Sequence, residues 1–179
     1  FGISNLNSDG GRFINPCDYD NDANILYTAR DASSIYRWNM EDSDNDGYFD
    51  ESTFDIDLGN LAAHIRVSEF SENTIFIGTG AGRLFKVTNA NVSNPSVTEI
   101  TNSNFPTGYI SCIELGETED QLLITFSNYG VSSIWETQNG GSSWLEKEGN
   151  LPDMPIRWAV YNPTNPNEVV LATEVGVWS

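Results

Sequence analysis

Apolar residues in this chain gather in short runs, and each run is followed by a polar turn and a second apolar run that ends in an aromatic residue. The pattern occurs four times, as ILYTARDASSIYRW, IFIGTGAGRLFKV, LLITFSNYGVSSIWE and VVLATEVGVW. No segment keeps the spacing of an amphipathic helix, whereas partly alternating short runs are typical of strands. Each unit therefore predicts two antiparallel strands joined by a turn.

The four units recur at a nearly constant interval. The centres of the first strands are Tyr27, Ile77, Ile124 and Leu171, at intervals of 50, 47 and 47 residues. The aromatic anchors are Tyr36, Phe85, Trp135 and Trp178, at intervals of 49, 50 and 43 residues. Repetition at a fixed period of this length indicates a repeat architecture.

A further strand is predicted on either side of each unit. The preceding segments are RFINP, HIRVSEF, YISCIEL and IRWAVYNP, and more polar segments such as FDIDL and SVTEI follow. About four strands in 40–50 residues is the pattern of a β-propeller blade. We therefore predict an all-β propeller within one domain or fragment, 1–179, with repeats at about 10–57, 62–100, 108–147 and 155–179.

A β-sandwich is the alternative fold, but it does not require the fourfold recurrence. Four repeats, the last stopping at Trp178 and Ser179, predict an incomplete propeller. We expect it either to self-associate or to be completed by further blades of a longer parent chain.

The stretch IWETQNGGSSW follows a predicted strand and resembles the Asp-box, or BNR repeat. The residues in the places of that motif are Thr137, Asn139, Gly141, Ser143 and Trp144. Asparagine replaces the usual aspartate, and 7–13 is a degenerate second copy. The resemblance is to secreted propellers that include sialidases, xyloglucanase-like hydrolases and sortilin-type receptors. Because these share the box but not one function, the box is expected to be structural scaffold.

The acidic run DSDNDGYFD forms a candidate calcium loop. Its oxygen ligands would be Asp42, Asp44, Asp46, the Tyr48 carbonyl and Asp50. Carboxylates at alternate positions before a glycine can converge on a hard cation. The run resembles calcium loops of integrin-type propellers and thrombospondin repeats, and it departs from the EF-hand because Thr53 stands at the twelfth position. A weaker version, Asp18–Asn24, lacks the glycine and is interpreted as a polar loop.

Charge narrows the possible partners. The net charge is −18, from 26 acidic and 8 basic residues. A chain without a basic face does not suit nucleic acid, whereas an acidic one suits cations. No apolar run is long enough to span a bilayer, and no signal peptide is evident.

Catalytic chemistry is weakly indicated. A glycosidase needs two flanking carboxylates, and Glu119, Asp120 or Asp153 could be proposed, but the pattern selects no pair. His64 is the only histidine and is expected to be a hydrogen-bonded strand residue. Trp158 lies outside the anchor series and is a possible ligand platform. Two cysteines, Cys17 and Cys112, are too few for a disulfide scaffold.

The favoured function is therefore a secreted or cell-surface, calcium-binding propeller with a binding or architectural role. Its partner would be a polysaccharide or a protein. Two alternatives stay open: part of a propeller glycoside hydrolase that acts on polysaccharides, and a sorting or adhesion receptor ectodomain.

Overall fold

The computed structural model describes residues 12–45 and 48–179. Within these ranges the chain forms β-strands and no helix. The first two sheets are blade 1, with β1 (Cys17–Asp20), β2 (Ile25–Ala29), β3 (Ser34–Asn39) and β4 (Asp50–Asp55), and blade 2, with β5 (Ala62–Val67), β6 (Ile75–Thr79), β7 (Leu84–Thr88) and β8 (Ser96–Glu99). The others are blade 3, with β9 (Ile110–Leu115), β10 (Leu122–Phe126), β11 (Ile134–Thr137) and β12 (Leu145–Glu146), and blade 4, with β13 (Ile156–Asn162), β14 (Asn165–Thr173) and β15 (Gly176–Trp178).

Every blade is an antiparallel meander whose strands pair in chain order. The first strands of consecutive blades lie side by side, because β1 contacts β5, β5 contacts β9 and β9 contacts β13. Among the described residues, no strand of blade 4 contacts a strand of blade 1. The fold is therefore an all-β propeller whose ring is open, as the repeats predicted.

Three apolar clusters fill the spaces between consecutive blades. Tyr27, Ile35 and Phe54 of blade 1 belong to the same cluster as Ile65 and Ile77 of blade 2. The second cluster joins blades 2 and 3 and contains Phe76, Leu84, Ile113, Ile124, Trp135 and Trp144. The third is smaller and joins Leu123 and Ile134 to Ile156, Ala159 and Leu171. Since both faces of blades 2 and 3 are covered, their central strands β6 and β10 are entirely buried.

The first and last strands of blade 1 have other positions along the chain than the sequence predicted. RFINP is not a strand, and Phe13 and Ile14 in it are exposed. Proline has no N–H to donate, so the ladder with β2 begins at Cys17, directly after Pro16. The last strand of blade 1 is Asp50–Asp55 rather than FDIDL, and Ile56 and Leu58 leave the sheet and are buried in the first interface.

Both cysteines are free. Cys17 is exposed on β1, whereas Cys112 is buried on β9, where burial raises the pKa of its thiol to about 12. In the part of the chain that the structure describes, no helix has the length and apolar character to cross a membrane.

Candidate functional site

The turn that joins β11 to β12 is organised by Thr137 at its start. The hydroxyl of Thr137 accepts hydrogen bonds from the backbone N–H of Asn139, at 3.3 Å, and of Gly141, at 3.1 Å. It donates its own proton to Oδ1 of Asn139 at 2.9 Å. Gly140 and Gly141 have positive φ angles of 63° and 88°, which glycine adopts without strain.

The second half of the turn is held by the side chain of Asn139. Its Oδ1 accepts the backbone N–H of Ser143 at 2.9 Å, and its Nδ2 donates to the hydroxyl of Ser143 at 2.9 Å. A short amide side chain thus satisfies backbone donors that a strand ladder would otherwise pair. These contacts agree with a scaffold role for the turn, and membership of the Asp-box family stays a prediction.

Trp144 fastens this turn to the preceding blade. The ring is 7% exposed, and its Nε1 donates to the carbonyl of Ile100, directly after blade 2, at 3.1 Å. The Trp144 ring packs edge-on against Phe105 at 5.1 Å between centroids. A side chain at Gly141 would meet Ile100 at 2.7 Å, so the approach also requires that glycine. The tryptophan therefore stabilises the interface between blades 2 and 3.

The acidic loop lies between β3 and β4. Its base is closed by the strand pair Asn39 and Asp50 and by the Asp50 N–H, which donates to the Glu41 carbonyl at 3.4 Å. The hydroxyl of Ser43 donates to Oδ2 of Asp50 at 2.5 Å, so the two ends of the loop meet through side chains. Asn45 takes the left-handed conformation, with φ of 59°, and helps to reverse the chain.

This geometry brings Asp50 beside the segment that carries Asp42 and Asp44. Asp46 and Gly47 lie outside the described residues. The complete calcium ligand set of Asp42, Asp44, Asp46, Tyr48 and Asp50 therefore stays a prediction.

The weaker acidic run forms the turn between β1 and β2, and its key residue is Asp20. Oδ1 of Asp20 accepts the backbone N–H groups of Asp22, at 3.1 Å, and Ala23, at 2.9 Å. Asp20 is only 4% exposed, and its Oδ2 has no hydrogen-bond partner among the described residues. The sequence interpretation as a polar loop missed this buried carboxylate, although the Asp-x-Asp-x-Asp alternation was the available signal.

Trp158 extends from blade 4 across the inner edge of the propeller to His64 of blade 2. The two rings meet edge-on with centroids 5.1 Å apart, and Trp158 is 45% exposed. Burial of the His64 imidazole, together with the nearby charge of Arg66, lowers the pKa of His64 to about 4. His64 Nδ1 has no hydrogen-bond partner in the described part of the chain, so the expectation of a hydrogen-bonded histidine is not met at this atom.

Two of the three carboxylates proposed for glycosidase chemistry, Glu119 and Asp153, have structural contacts. Glu119 accepts Lys86 Nζ and the Ser68 hydroxyl, each at 2.5 Å. Burial opposes ionisation of Glu119, but the hydrogen bonds from Lys86, Ser68 and Ser71 and the charge of Lys86 together lower its pKa. Asp153 accepts the Gly130 N–H at 2.6 Å and lies at the opposite end of the blades from Glu119 and Asp120. The structure therefore separates Asp153 from the other two.

A groove of about 560 Å³ lies between blades 3 and 4. Leu123, Leu171 and Trp178 give it an apolar part. Glu136 supplies charge, because it accepts the Tyr161 hydroxyl at 3.1 Å and pairs with Lys147 at 3.0 Å. An apolar groove with a few fixed polar groups suits ligand binding.

Comparison with known proteins supports the fold. No protein-family model and no curated protein matches the chain. Among solved structures, YCF48 from Cyanidioschyzon merolae is similar with a TM-score of 0.69 and 11% identity, covering 90% of this chain and 48% of that one. A structure titled "COPII on membranes, outer coat vertex" has a TM-score of 0.66 and 14% identity, over 89% of this chain and 43% of that one. The mitotic checkpoint complex structure has a TM-score of 0.59 and 11% identity, over 92% and 46%.

This chain thus spans about half the length of the solved chains that it resembles. At such low identity the likeness establishes the fold alone. The class defined by fold and comparison is a β-propeller module.

Proposed function

We propose that this chain is a binding or architectural propeller module whose β3–β4 loop takes up calcium. The module acts without catalysis, and its partner is a protein. The Asp-box and calcium-loop resemblances are the support for a secreted or cell-surface protein.

The observation that best supports calcium binding is the closed base of the acidic loop. The contacts between Glu41, Ser43 and Asp50 draw both ends of the run together, so that side-chain oxygens from each end can reach one cation. Carboxylate and carbonyl oxygens are the hard ligands that calcium prefers. The repulsion among five carboxylates, from Glu41 to Asp50, favours occupancy further.

The proposal that the partner is a protein is supported by the assemblies in which similar folds occur. The titles of two similar structures describe a COPII coat and a mitotic checkpoint complex, both of which are multi-protein assemblies. Propeller loops and grooves offer binding surfaces on a rigid scaffold. The groove beside Glu136 and Trp178 is one such surface in this chain.

Calorimetry tests the calcium site. Chelator-stripped protein titrated with calcium chloride to millimolar concentration should show one binding event. Asp44→Asn should abolish that event, whereas Asp57→Asn, which makes the same change of charge outside the loop, should leave it intact. A wild-type titration without heat and without a change in melting temperature would refute calcium binding.

A hydrolysis assay tests the absence of catalysis. The protein is incubated with a panel of polysaccharides, and reducing ends are measured over time. We expect no release above the buffer control. Turnover that disappears in a Glu119→Gln or Asp153→Asn variant would replace the binding role by a glycoside hydrolase.

A further inference from the structure

The two ends of the blades differ in charge. In an antiparallel meander, the turn between the first and second strands lies at the same end of the sheet as the turn between the third and fourth. We call this end the acidic rim, and its described residues are 21–24, 40–45, 48–49, 68–74, 89–95, 116–121, 138–144 and 163–164. The bond from Ser68 to Glu119 joins the rim turns of blades 2 and 3 directly.

The acidic rim contains no lysine or arginine in its sequence. Its described acidic residues are Asp22, Glu41, Asp42, Asp44, Glu69, Glu72, Glu117, Glu119 and Asp120. The opposite end is mixed, with Arg12, Arg30, Arg83 and Lys147 beside Asp31, Asp57, Glu148, Asp153 and Glu174. The surplus of negative charge is therefore concentrated at one end of the molecule.

The chain's own cations do not neutralise that surplus. All 8 basic residues have partners within the chain. In the described ranges, three of them reach the rim from strands: Arg66 pairs with Glu69 and Glu114, Lys86 pairs with Glu119, and Arg37 donates to the carbonyl of Ala90. The rim therefore keeps a net negative charge, which attracts cations from outside the chain.

A cleft of about 290 Å³ opens in this rim between the β1–β2 turn and the end of β5. Asp18, Asp20, Asp22 and Glu69 line it, together with Arg66. Asp20 is the buried member, and its Oδ2 lacks a hydrogen-bond partner among the described residues, whereas Oδ1 is fixed by two backbone N–H groups. A buried acceptor without a donor is costly, so a donor that enters the cleft would be stabilised.

The chemistry of the cleft favours an organic cation over a metal ion. Arg66 places a positive charge on the cleft wall, which repels a doubly charged metal ion more strongly than a singly charged group. A lysine ammonium or an arginine guanidinium supplies directional N–H donors to carboxylate oxygens.

We propose that the acidic rim binds a basic segment of a partner protein, with one lysine or arginine side chain seated in the Asp20 cleft. The proposal rests on the protein-binding role above and specifies the partner's chemistry. The rim carboxylates attract the segment over a distance, and Asp20 sets its register.

Fluorescence anisotropy with a labelled hexa-arginine peptide tests the proposal at 150 mM sodium chloride, with hexaglutamine as the uncharged probe. We expect saturable binding of hexa-arginine alone. Asp20→Asn should weaken it about tenfold, since a buried charged hydrogen bond contributes about 1.5–3 kcal/mol. Asp57→Asn carries the same change of charge at the opposite end and should bind as wild type.

Equal affinities for Asp20→Asn and Asp57→Asn, or binding that vanishes at 150 mM salt, would overturn the proposal. If Asp20→Asn fails to fold, the Glu69→Gln and Glu72→Gln double variant replaces it, with an expected loss of at least about threefold. Unchanged binding there would equally refute the rim. Calcium calorimetry on the same samples keeps the two proposals apart, because calcium uptake without peptide binding overturns only this one.

Discussion

The turn at 137–144 and the loop at 41–50 are built from the same small polar residue types, yet they handle hydrogen bonding in opposite ways. The turn carries no charged side chain, and the side chains of Thr137 and Asn139 accept three of its backbone N–H groups. The loop carries five carboxylates and no base between Glu41 and Asp50. A neutral turn of this kind is complete as part of the scaffold, whereas an anionic loop gains stability from a cation. The difference in charge therefore favours a structural role in the turn and the proposed calcium binding in the loop.

The largest expected effect is on the scaffold side of this comparison. Trp144→Ala removes a buried ring from the interface between blades 2 and 3 and should cost about 3–5 kcal/mol in the free energy of unfolding. Urea unfolding followed by circular dichroism measures it. Trp178→Ala, at a ring that is 39% exposed, is the matched control and should cost much less. Equal losses would show that Trp144 is not an interface anchor.

Acid should destabilise the protein through His64, which belongs neither to the turn at 137–144 nor to the loop at 41–50. Because its pKa is about 4 when folded and about 6.5 when unfolded, the unfolded state binds more protons between these values. The free energy of unfolding therefore has its full value above pH 6.5. It falls as the pH drops toward 4, by up to about 3 kcal/mol.

His64→Phe should remove that loss between pH 6.5 and 4.5, as measured by urea unfolding at both values. The variant separates the histidine effect from protonation of carboxylates, because it replaces only the imidazole. An unchanged pH dependence in His64→Phe would mean that His64 titrates normally.

Calcium should stabilise the loop side of the comparison. At a hundredfold excess over the dissociation constant, binding to the folded state adds about 2.7 kcal/mol. The melting temperature should rise with calcium in wild type and in Asn139→Ala, but not in Asp44→Asn. A rise of equal size in Asp44→Asn would place the cation elsewhere.

Loss of the turn's amide should have a smaller effect. Asn139→Ala removes the bonds to Thr137 and Ser143 and should cost about 0.5–2 kcal/mol. Calcium and peptide binding should be unchanged in this variant. Loss of either with an unchanged melting temperature would make the turn a binding element.

The smallest effect should come from Asn139→Asp, which restores the aspartate that is usual in the Asp-box motif. Asn139→Asp keeps the acceptor for the Ser143 N–H, and the Ser143 hydroxyl can reverse its bond and donate to the new oxygen. We expect a change within about 0.5 kcal/mol in urea unfolding. A loss as large as that of Asn139→Ala would show that the amide hydrogen itself is required.

The fold was largely predictable because each blade repeats the same burial requirement. Strands with both faces covered, such as Ile75–Thr79 and Leu122–Phe126, appear as continuous apolar runs at a fixed period. The first strand of blade 1 was misplaced because CDYD carries two acids and only its pairing with β2 identifies it. Polar strands depend on tertiary contacts that a local pattern does not contain.

The candidate sites were less predictable for a related reason. The contacts of Asn139 are local, so motif and spacing indicated them. The burial of Asp20 depends on how blades 1 and 2 pack, and the meeting of His64 with Trp158 joins blades that are not consecutive. Sequence spacing alone gives no distance across an interface.

The hydrogen bonds of the 137–144 turn also bear on how the protein ages chemically. Asn139 precedes Gly140, and an asparagine before glycine is prone to deamidation, in which the glycine nitrogen attacks the side-chain carbonyl carbon and ammonia leaves. In the folded chain the Gly140 N–H donates to the Asp120 carbonyl at 2.9 Å, and the Asn139 amide is held by Ser143. Both reacting groups are thus engaged in other hydrogen bonds, so this Asn-Gly pair should persist in the native state and deamidate mainly when the blade opens.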